Sequence, residues 1–212
     1  GGPYTGGGGG AGGSVFLEAN TINGTGVISA NGGSGTERAG SGGRIAIYES
    51  VRGTFPIDNT DNVRARSGPG DAGAGTVFLD DDGSVGGTGK LFVNNNGNDG
   101  HSAHLPEAEY EFSEVNLTEY GHLRVVGQAS KLTVTNGSAL QGDASFPDVA
   151  VEGTFSYSGS TTLEINGVDV DIVGAIEFIN NNDVNIGPTL QGGLTLNGAT
   201  WAKPNPEDVT EF

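Results

Sequence analysis

The segment Gly13-Ser14-Val15-Phe16-Leu17-Glu18 has two counterparts later in the chain, Gly43-Arg44-Ile45-Ala46-Ile47-Tyr48 and Gly75-Thr76-Val77-Phe78-Leu79-Asp80. Each begins with Gly, a polar residue, a β-branched residue, a variable position and an aliphatic residue, and the starts lie 30 and 32 residues apart. This alternation predicts strands whose aliphatic side chains share one buried face. The residues expected in that core are Val15, Leu17, Ile45, Ile47, Val77 and Leu79.

A second short apolar segment follows each of these strands about half a period later, at residues 26–30, 62–66 and 90–93. A fixed period of about 20 to 50 residues is typical of solenoids, in which stacking buries faces that no repeat buries alone. Five Asn-Gly pairs supply turns that suit antiparallel hairpins as well as solenoid corners. The recurrence favours the solenoid.

Composition narrows the class of protein. The 212 residues are enough for one all-β domain with a continuous core. A net charge of -17 with nine Lys and Arg argues against nucleic acid and anionic membranes, because neutralising phosphates requires clustered basic side chains. Without Cys there is no disulfide framework, and no apolar run reaches the ~18 residues of a membrane span. The absence of Met, even at position 1, predicts a fragment or a processed form of a longer protein.

Glycine is concentrated in the first 100 residues, which hold 28 of the 40. This shift in composition predicts looser Gly-rich turns followed by more regular ones. The predicted parts are a Gly-rich linker or first loop at 1–13, Gly-rich solenoid coils at 14–104, regular solenoid coils at 105–200, and a terminal cap or exit segment at 201–212.

Residues of about 6–140 resemble the glycine-rich repeats of very large bacterial cell-surface and secreted proteins that are described as adhesin-like. The likeness rests on four stretches, at 40–48, 73–79, 89–97 and 105–112. The resemblance implies an all-β fold, a right-handed parallel β-helix (β-solenoid) in a single elongated domain. It also implies an extracellular or cell-surface location, and it indicates architecture rather than activity, since such repeats carry many different functional parts.

Acidic loops beside Gly turns are the candidate metal sites. Carboxylate and amide oxygens are the ligands that Ca²⁺ prefers, although no loop matches the full EF-hand pattern. The alternative is that these residues are ordinary turn formers with solvated charges, or that Asn side chains stack in hydrogen-bonded ladders between coils. The candidate Ca²⁺ ligands are Asp80, Asp81, Asp82, Asp58, Asp61, Asn96 and Asp99.

A polysaccharide lyase or glycoside hydrolase is the enzymatic alternative. Such a site needs a Ca²⁺-carboxylate cluster with a basic side chain, or two carboxylates flanking the sugar bond. Spacing selects no pair among the candidates, and Arg64 and Arg66 are also placed to form ion pairs with Asp58 and Asp61. The other candidates are His101, His104, Glu107, Glu109, Glu111 and Glu114.

The sequence therefore predicts a structural or adhesive module of a larger bacterial surface or secreted protein, with glycans as the candidate ligands and no assigned catalytic residue. Its other expected partners are neighbouring modules of the same protein, and open solenoid ends suggest self-association. Glycan platforms need exposed aromatic side chains. The candidates are Tyr48, Tyr110, Tyr120, Tyr157 and Trp201, with capping of the last coil as the alternative role of Trp201.

Overall fold

The computed structural model describes residues 7–35, 38–58, 60–80, 88–135, 140–143, 145, 147–158, 165–178, 194–196 and 200–202. These residues form β-strands and no helix. The strands in chain order are β1 (Ser14–Ala19), β2 (Ile28–Ser29), β3 (Arg44–Glu49), β4 (Val63–Arg64), β5 (Thr76–Asp80), β6 (Lys90–Asn94), β7 (Ala103–Leu105), β8 (Glu109–Phe112), β9 (Glu114–Thr118), β10 (Leu123–Val125), β11 (Lys131–Val134), β12 (Leu140–Gln141), β13 (Asp148–Val151), β14 (Thr154–Tyr157), β15 (Ile165–Asn166), β16 (Asp169–Ile172), β17 (Ala175–Phe178), β18 (Leu194–Leu196) and β19 (Thr200–Ala202).

The first of two compact units contains the three copies of the opening motif. It comprises Gly1–Gly87, Phe92–Ala103 and Thr118–His122. Strands β1, β3 and β5 lie side by side in parallel, and β2 pairs in parallel with β4. The register places Val15 opposite Ile45, and Ile45 opposite Val77. Equivalent positions of the three motif copies are therefore paired with one another in this sheet.

The core of the first unit is the predicted one. Ile47 and Leu79 are completely buried, and Ile45 and Val77 are nearly so. Val15 and Leu17, on the edge strand β1, are partly buried and pack against the same cluster. Backbones approach closely beside this core, because a β-carbon at Gly75 would overlap the carbonyl oxygen of Gly43. Gly is therefore required for close packing there, and not only for turns.

The second compact unit consists of longer runs of parallel strands. It comprises Thr88–Leu91, His104–Leu117 and Leu123–Phe212. Its parallel runs are β8-β11-β14-β17-β19, β10-β13-β16-β18 and β9-β12-β15. Leu132, Phe155 and Ile176 occupy matching positions on three adjacent strands, and all are buried. Matching apolar positions again define the register, because a slip of one residue would turn these side chains away from the core.

The predicted right-handed parallel β-helix in a single elongated domain is wrong. The strands belong to four separate sheets of seven, five, five and two strands, the chain divides into two compact units, and no closed solenoid forms in the described residues. In the seven-stranded sheet, β1, β3 and β5 are neighbours that are not consecutive in the chain. This regular order fails at β5 and β6, which are consecutive in the chain and also adjacent in the sheet. Only residues 81–89 join them, fewer than the dozen or so that a parallel crossover requires.

Candidate functional site

The outward face of the sheet β1-β3-β5 carries aromatic side chains. Because successive side chains on a strand point to opposite faces, burying the aliphatic positions places Phe16, Tyr48 and Phe78 on the other side. Phe16 is 65% exposed, and Tyr48 and Phe78 are half-buried. We call these three side chains the aromatic face.

The three rings of the aromatic face form a continuous row. The ring centroid of Tyr48 lies 5.4 Å from that of Phe16 and 5.6 Å from that of Phe78, with interplanar angles of 44° and 54°. These separations are typical of favourable tilted aromatic pairs. Tyr48 therefore holds both neighbours, and the row is ordered by its own contacts while part of it remains in contact with solvent.

Ala46 lies in register between two members of the aromatic face. In the register of the sheet, Ala46 lies directly between Phe16 on β1 and Phe78 on β5, and Tyr48 lies two residues further along β3. The Tyr48 ring contacts both Phe rings and therefore lies between them on this face of the sheet. Arg44 begins β3 two residues before Ala46, and its side chain is exposed.

The sequence prediction identified one member of the aromatic face and missed two. Tyr48 is among the predicted sugar-contacting residues, whereas Phe16 and Phe78 enter the prediction only as the variable position of the repeat. The signal that would have found them is the variable position itself, which is Phe, Ala and Phe in the three copies. An aromatic residue at an outward position of a half-buried strand is informative because it lies opposite the core.

The other aromatic candidates lie elsewhere and differ in exposure. Tyr157 is fully buried, and Tyr110 stacks on Phe112 with a centroid distance of 6.2 Å and donates a hydrogen bond to the carbonyl oxygen of Pro106. Tyr120 is 37% exposed and has a positive φ of 60°. The side chain of Trp201, including its predicted capping role, lies outside the described residues.

Several predicted Ca²⁺ ligands contact arginine side chains. Asp58 pairs with Arg52 at 2.9 Å, and Asp61 pairs with Arg66 at 2.9 Å. Arg66 also donates to the side-chain oxygen of Asn96 at 2.8 Å. The predicted Arg66–Asp61 ion pair is therefore confirmed, whereas Asp58 has a different partner. The guanidinium of Arg66 therefore already contacts the side-chain oxygens of Asp61 and Asn96, two of the predicted Ca²⁺ ligands.

The remaining predicted ligands are dispersed. Asp99 lies 3.6 Å from the imidazole of His122, and Asp80 is buried at the end of β5. Asp81 and Asp82 lie outside the described residues. Within the described ranges, no three His, Asp or Glu side chains are grouped so as to hold a metal ion. Calcium binding stays a prediction.

The residues considered for catalysis are mostly solvent-exposed or paired. Glu114 lies 3.7 Å from the ammonium of Lys90, and Arg64 donates from Nε to the carbonyl oxygen of Asp61 at 2.5 Å. The others, which are His101, His104, Glu107, Glu109 and Glu111, are exposed. This arrangement gives no reason to assign a general acid or base among them.

Buried amides have structural partners. Asn95 is fully buried, and its Nδ2 donates to the carbonyl oxygens of Ala72 at 3.2 Å and Asn98 at 2.6 Å. Its Oδ1 accepts the backbone N–H of Ser67 at 3.3 Å. This side chain satisfies backbone groups of separate loops in the first unit, which is a structural role. Asn180 to Asn182, which the sequence also predicts to stack in a hydrogen-bonded ladder, lie outside the described residues.

One carboxylate of the second unit has a lowered pKa. The backbone N–H of Gly127 donates to Glu152 at 2.8 Å, and the guanidinium of Arg124 lies 2.5 Å from the other carboxylate oxygen. The hydrogen bond from Gly127 and then that from Arg124 are the main causes that lower the pKa of Glu152 below its ordinary value. Glu152 therefore links β10 and the turn after it to β13 as a charged group.

Comparison with protein-family models, with curated proteins and with solved structures gave no match. The described residues contain no helix with the length and apolar character needed to cross a membrane.

Proposed function

We propose that this chain is a structural and adhesive module of a larger bacterial surface or secreted protein, and that it binds glycans at the aromatic face. The observation that carries the proposal is the continuous row of Phe16, Tyr48 and Phe78 on a rigid parallel sheet, with Phe16 largely exposed. The extracellular location and the bacterial surface context rest on the resemblance of the repeats.

The chemistry of sugars fits this row. A pyranose ring presents C–H groups on its faces and hydroxyl groups around its rim, so its face packs on an aromatic ring while its rim stays hydrated. The electron-rich face of an aromatic ring attracts such polarised C–H groups. Phe16, which is 65% exposed, offers the most accessible ring of the row to a sugar face.

The sheet favours recognition without much reorganisation. The backbones of β1, β3 and β5 are fixed by parallel pairing, and Tyr48 contacts both Phe rings before any ligand arrives. A preorganised site pays less conformational entropy on binding. An adhesive module needs such binding but no reactive group.

The test is a glycan-array screen of the whole chain followed by calorimetric titration with the oligosaccharides that bind. Phe16→Ala and Tyr48→Ala should each weaken binding about tenfold, equivalent to ~1.4 kcal/mol. Tyr120→Ala is the control, because Tyr120 is 37% exposed and follows β9 rather than belonging to β1, β3 or β5. Circular dichroism verifies that each variant is folded.

Two results would contradict the proposal. The first is binding that is unchanged in both Phe16→Ala and Tyr48→Ala, which would place any glycan site elsewhere. The second is a screen in which no neutral or acidic glycan binds to the folded wild-type chain.

A further inference from the structure

We propose that β1 is a docking edge, at which a second copy of this chain adds its own β1 in antiparallel orientation. The inference goes beyond the proposed glycan binding and does not depend on it. In the part of the chain that the structure describes, β1 is the outermost strand of the seven-stranded sheet, with β3 beside it. The outer edge of such a strand presents backbone N–H and C=O groups that can pair with another strand.

The outer edge of β1 is accessible. The carbonyl oxygen of Gly13 accepts the N–H of Arg44 at 3.0 Å, so odd-numbered residues here direct their backbone groups toward β3. Because successive residues of a strand alternate in direction, the backbone groups of Ser14, Phe16 and Glu18 point toward the outer edge. These three residues are exposed, and a β-carbon on Gly13 would meet open space to at least 4 Å.

Apolar side chains of β1 remain in contact with water. Among the described residues, Phe16 has the most exposed large apolar side chain, at 65%. On the inward face, Val15 and Leu17 are only partly buried, whereas their register partners Ile45 and Ile47 are almost completely buried. A strand added at this edge would remove apolar surface from water on both faces of the sheet.

The sequence of β1 is complementary to itself when two copies run antiparallel. With Phe16 opposite Phe16 of the second copy, Ser14 lies opposite Glu18 and Val15 lies opposite Leu17. The pairs of even-numbered residues are the ones whose backbone groups point to the outer edge, so each can exchange both N–H···O bonds. The pairs of odd-numbered residues place aliphatic side chains together on the inward face.

Charge also favours this register. Glu18 lies opposite the Ser14 hydroxyl group of the second copy, which can donate to the carboxylate. The two Glu18 side chains lie at opposite ends of the paired strands, whereas a register that placed them opposite each other would oppose like charges. At each end Gly13 lies opposite Ala19, and both residues are small enough to admit a close approach.

The docked copy would continue a packing interface that the chain already has. The sheet β1-β3-β5 would run on into the sheet of the second copy. On its outward side, the row of Phe78, Tyr48 and Phe16 would meet the Phe16 of the second copy and continue there. The dimer would therefore double the length of the aromatic face and bring two copies of it onto one surface.

Analytical ultracentrifugation of the whole chain without glycan measures the association. The net charge of -17 makes two copies repel each other, so the experiment is run at about 0.15 M salt, where the Debye length is ~8 Å. The wild type should show a concentration-dependent equilibrium between monomer and dimer. Phe16→Lys, which opposes two ammonium groups, should weaken the dimer at least about tenfold. Val173→Lys is the control, because Val173 is 44% exposed and follows β16.

Disulfide formation tests the register, because the chain has no Cys of its own. In the proposed pairing, the Cα atoms of Ser14 and of Glu18 in the second copy are about 5.5 Å apart, which suits a disulfide. The two Ser14 residues are about 14 Å apart, because four residues of a strand separate them. A mixture of Ser14→Cys and Glu18→Cys chains should therefore form the mixed disulfide faster than either variant forms a disulfide with itself.

Three results would overturn the inference. The first is a wild-type chain that stays monomeric at every concentration. The second is a dimer that Phe16→Lys weakens no more than Val173→Lys does, which would place the interface away from β1. The third is a Ser14→Cys chain that forms a disulfide with itself faster than the mixture does. Because glycan is absent from these experiments, such results would leave the proposed glycan binding standing, which the array screen tests separately.

Discussion

Replacing Ile47 with alanine tests whether the three copies of the motif share one core. Ile47 is completely buried on β3 and lies in register with Leu17 on β1 and Leu79 on β5. With paired strands on both sides, the backbone around Ile47 is held in place, and the neighbouring side chains have little freedom to fill the space left by a smaller residue.

The expected cost follows from the size of the deleted group. Ile47→Ala removes three carbon groups, and at ~0.8 kcal/mol for each buried methylene the lost transfer free energy is about 2.4 kcal/mol. The unfilled cavity adds a further term, since the surroundings relax only partially. We therefore expect a loss of about 3 to 4 kcal/mol in the free energy of unfolding of the first unit, within the ~2 to 5 kcal/mol typical of such substitutions.

Urea unfolding followed by far-ultraviolet circular dichroism measures this loss, and hydrogen exchange of the β3 amides assigns it to the first unit. Leu17→Ala, on the edge strand and only partly buried, should cost clearly less. Val27→Ala, at a residue that is 54% exposed, should cost no more than about 0.5 kcal/mol. If Ile47→Ala costs as little as Val27→Ala, the three motifs do not share a core and the reasoning is refuted.

The pKa of Glu152 is lower in the folded state than in the unfolded state. The stability that the ionised Glu152 contributes is therefore present above the ordinary pKa of Glu, and it is lost as the pH falls through the lower pKa of the folded state. The difference in melting temperature between wild type and Glu152→Gln should therefore narrow as the pH falls from 7 toward 3, and a constant difference would show that the contacts with Gly127 and Arg124 do not depend on charge. Gly75→Ala should destabilise the first unit by about 1 to 3 kcal/mol, because its β-carbon overlaps neighbouring backbone. Gly13→Ala, at the same motif position but with no atom within 4 Å of its β-carbon, should be tolerated, and equal melting temperatures of the two variants would contradict the close packing at Gly75.

The sequence predicted the local features of the first unit because these depend on periodicity. Alternation assigned the inward side chains of β1, β3 and β5, and the spacing of the motif matches the register of their pairing. Burial of one face fixes that register, since a shift by one residue would expose every aliphatic side chain. The Arg66–Asp61 ion pair was also predicted, because the two residues are close in the chain.

The sequence did not predict the arrangement of the sheets. A constant period suggested one solenoid, but the period does not specify how a strand pairs when the connection to its neighbour is short, as between β5 and β6. The sequence also did not predict side-chain contacts between residues that are distant in the chain. Glu49 follows Ile22, whose backbone N–H it accepts, by 27 positions, and Glu152 follows Arg124 by 28 positions, so neither contact leaves a local pattern in the sequence.

The aromatic face depends both on the local sequence pattern and on the tertiary structure. By itself the sequence determined that Phe16, Tyr48 and Phe78 alternate with the inward aliphatic residues and so belong to the other face of the strands. The alternation of a strand is a local property. Only the tertiary structure decided that Phe16 and Phe78 lie in register on either side of Ala46 and that Tyr48 contacts both rings. The physical reason is that strands 30 and 32 residues apart become neighbours through backbone pairing and burial of a shared core, which create contacts that no local pattern in the chain encodes.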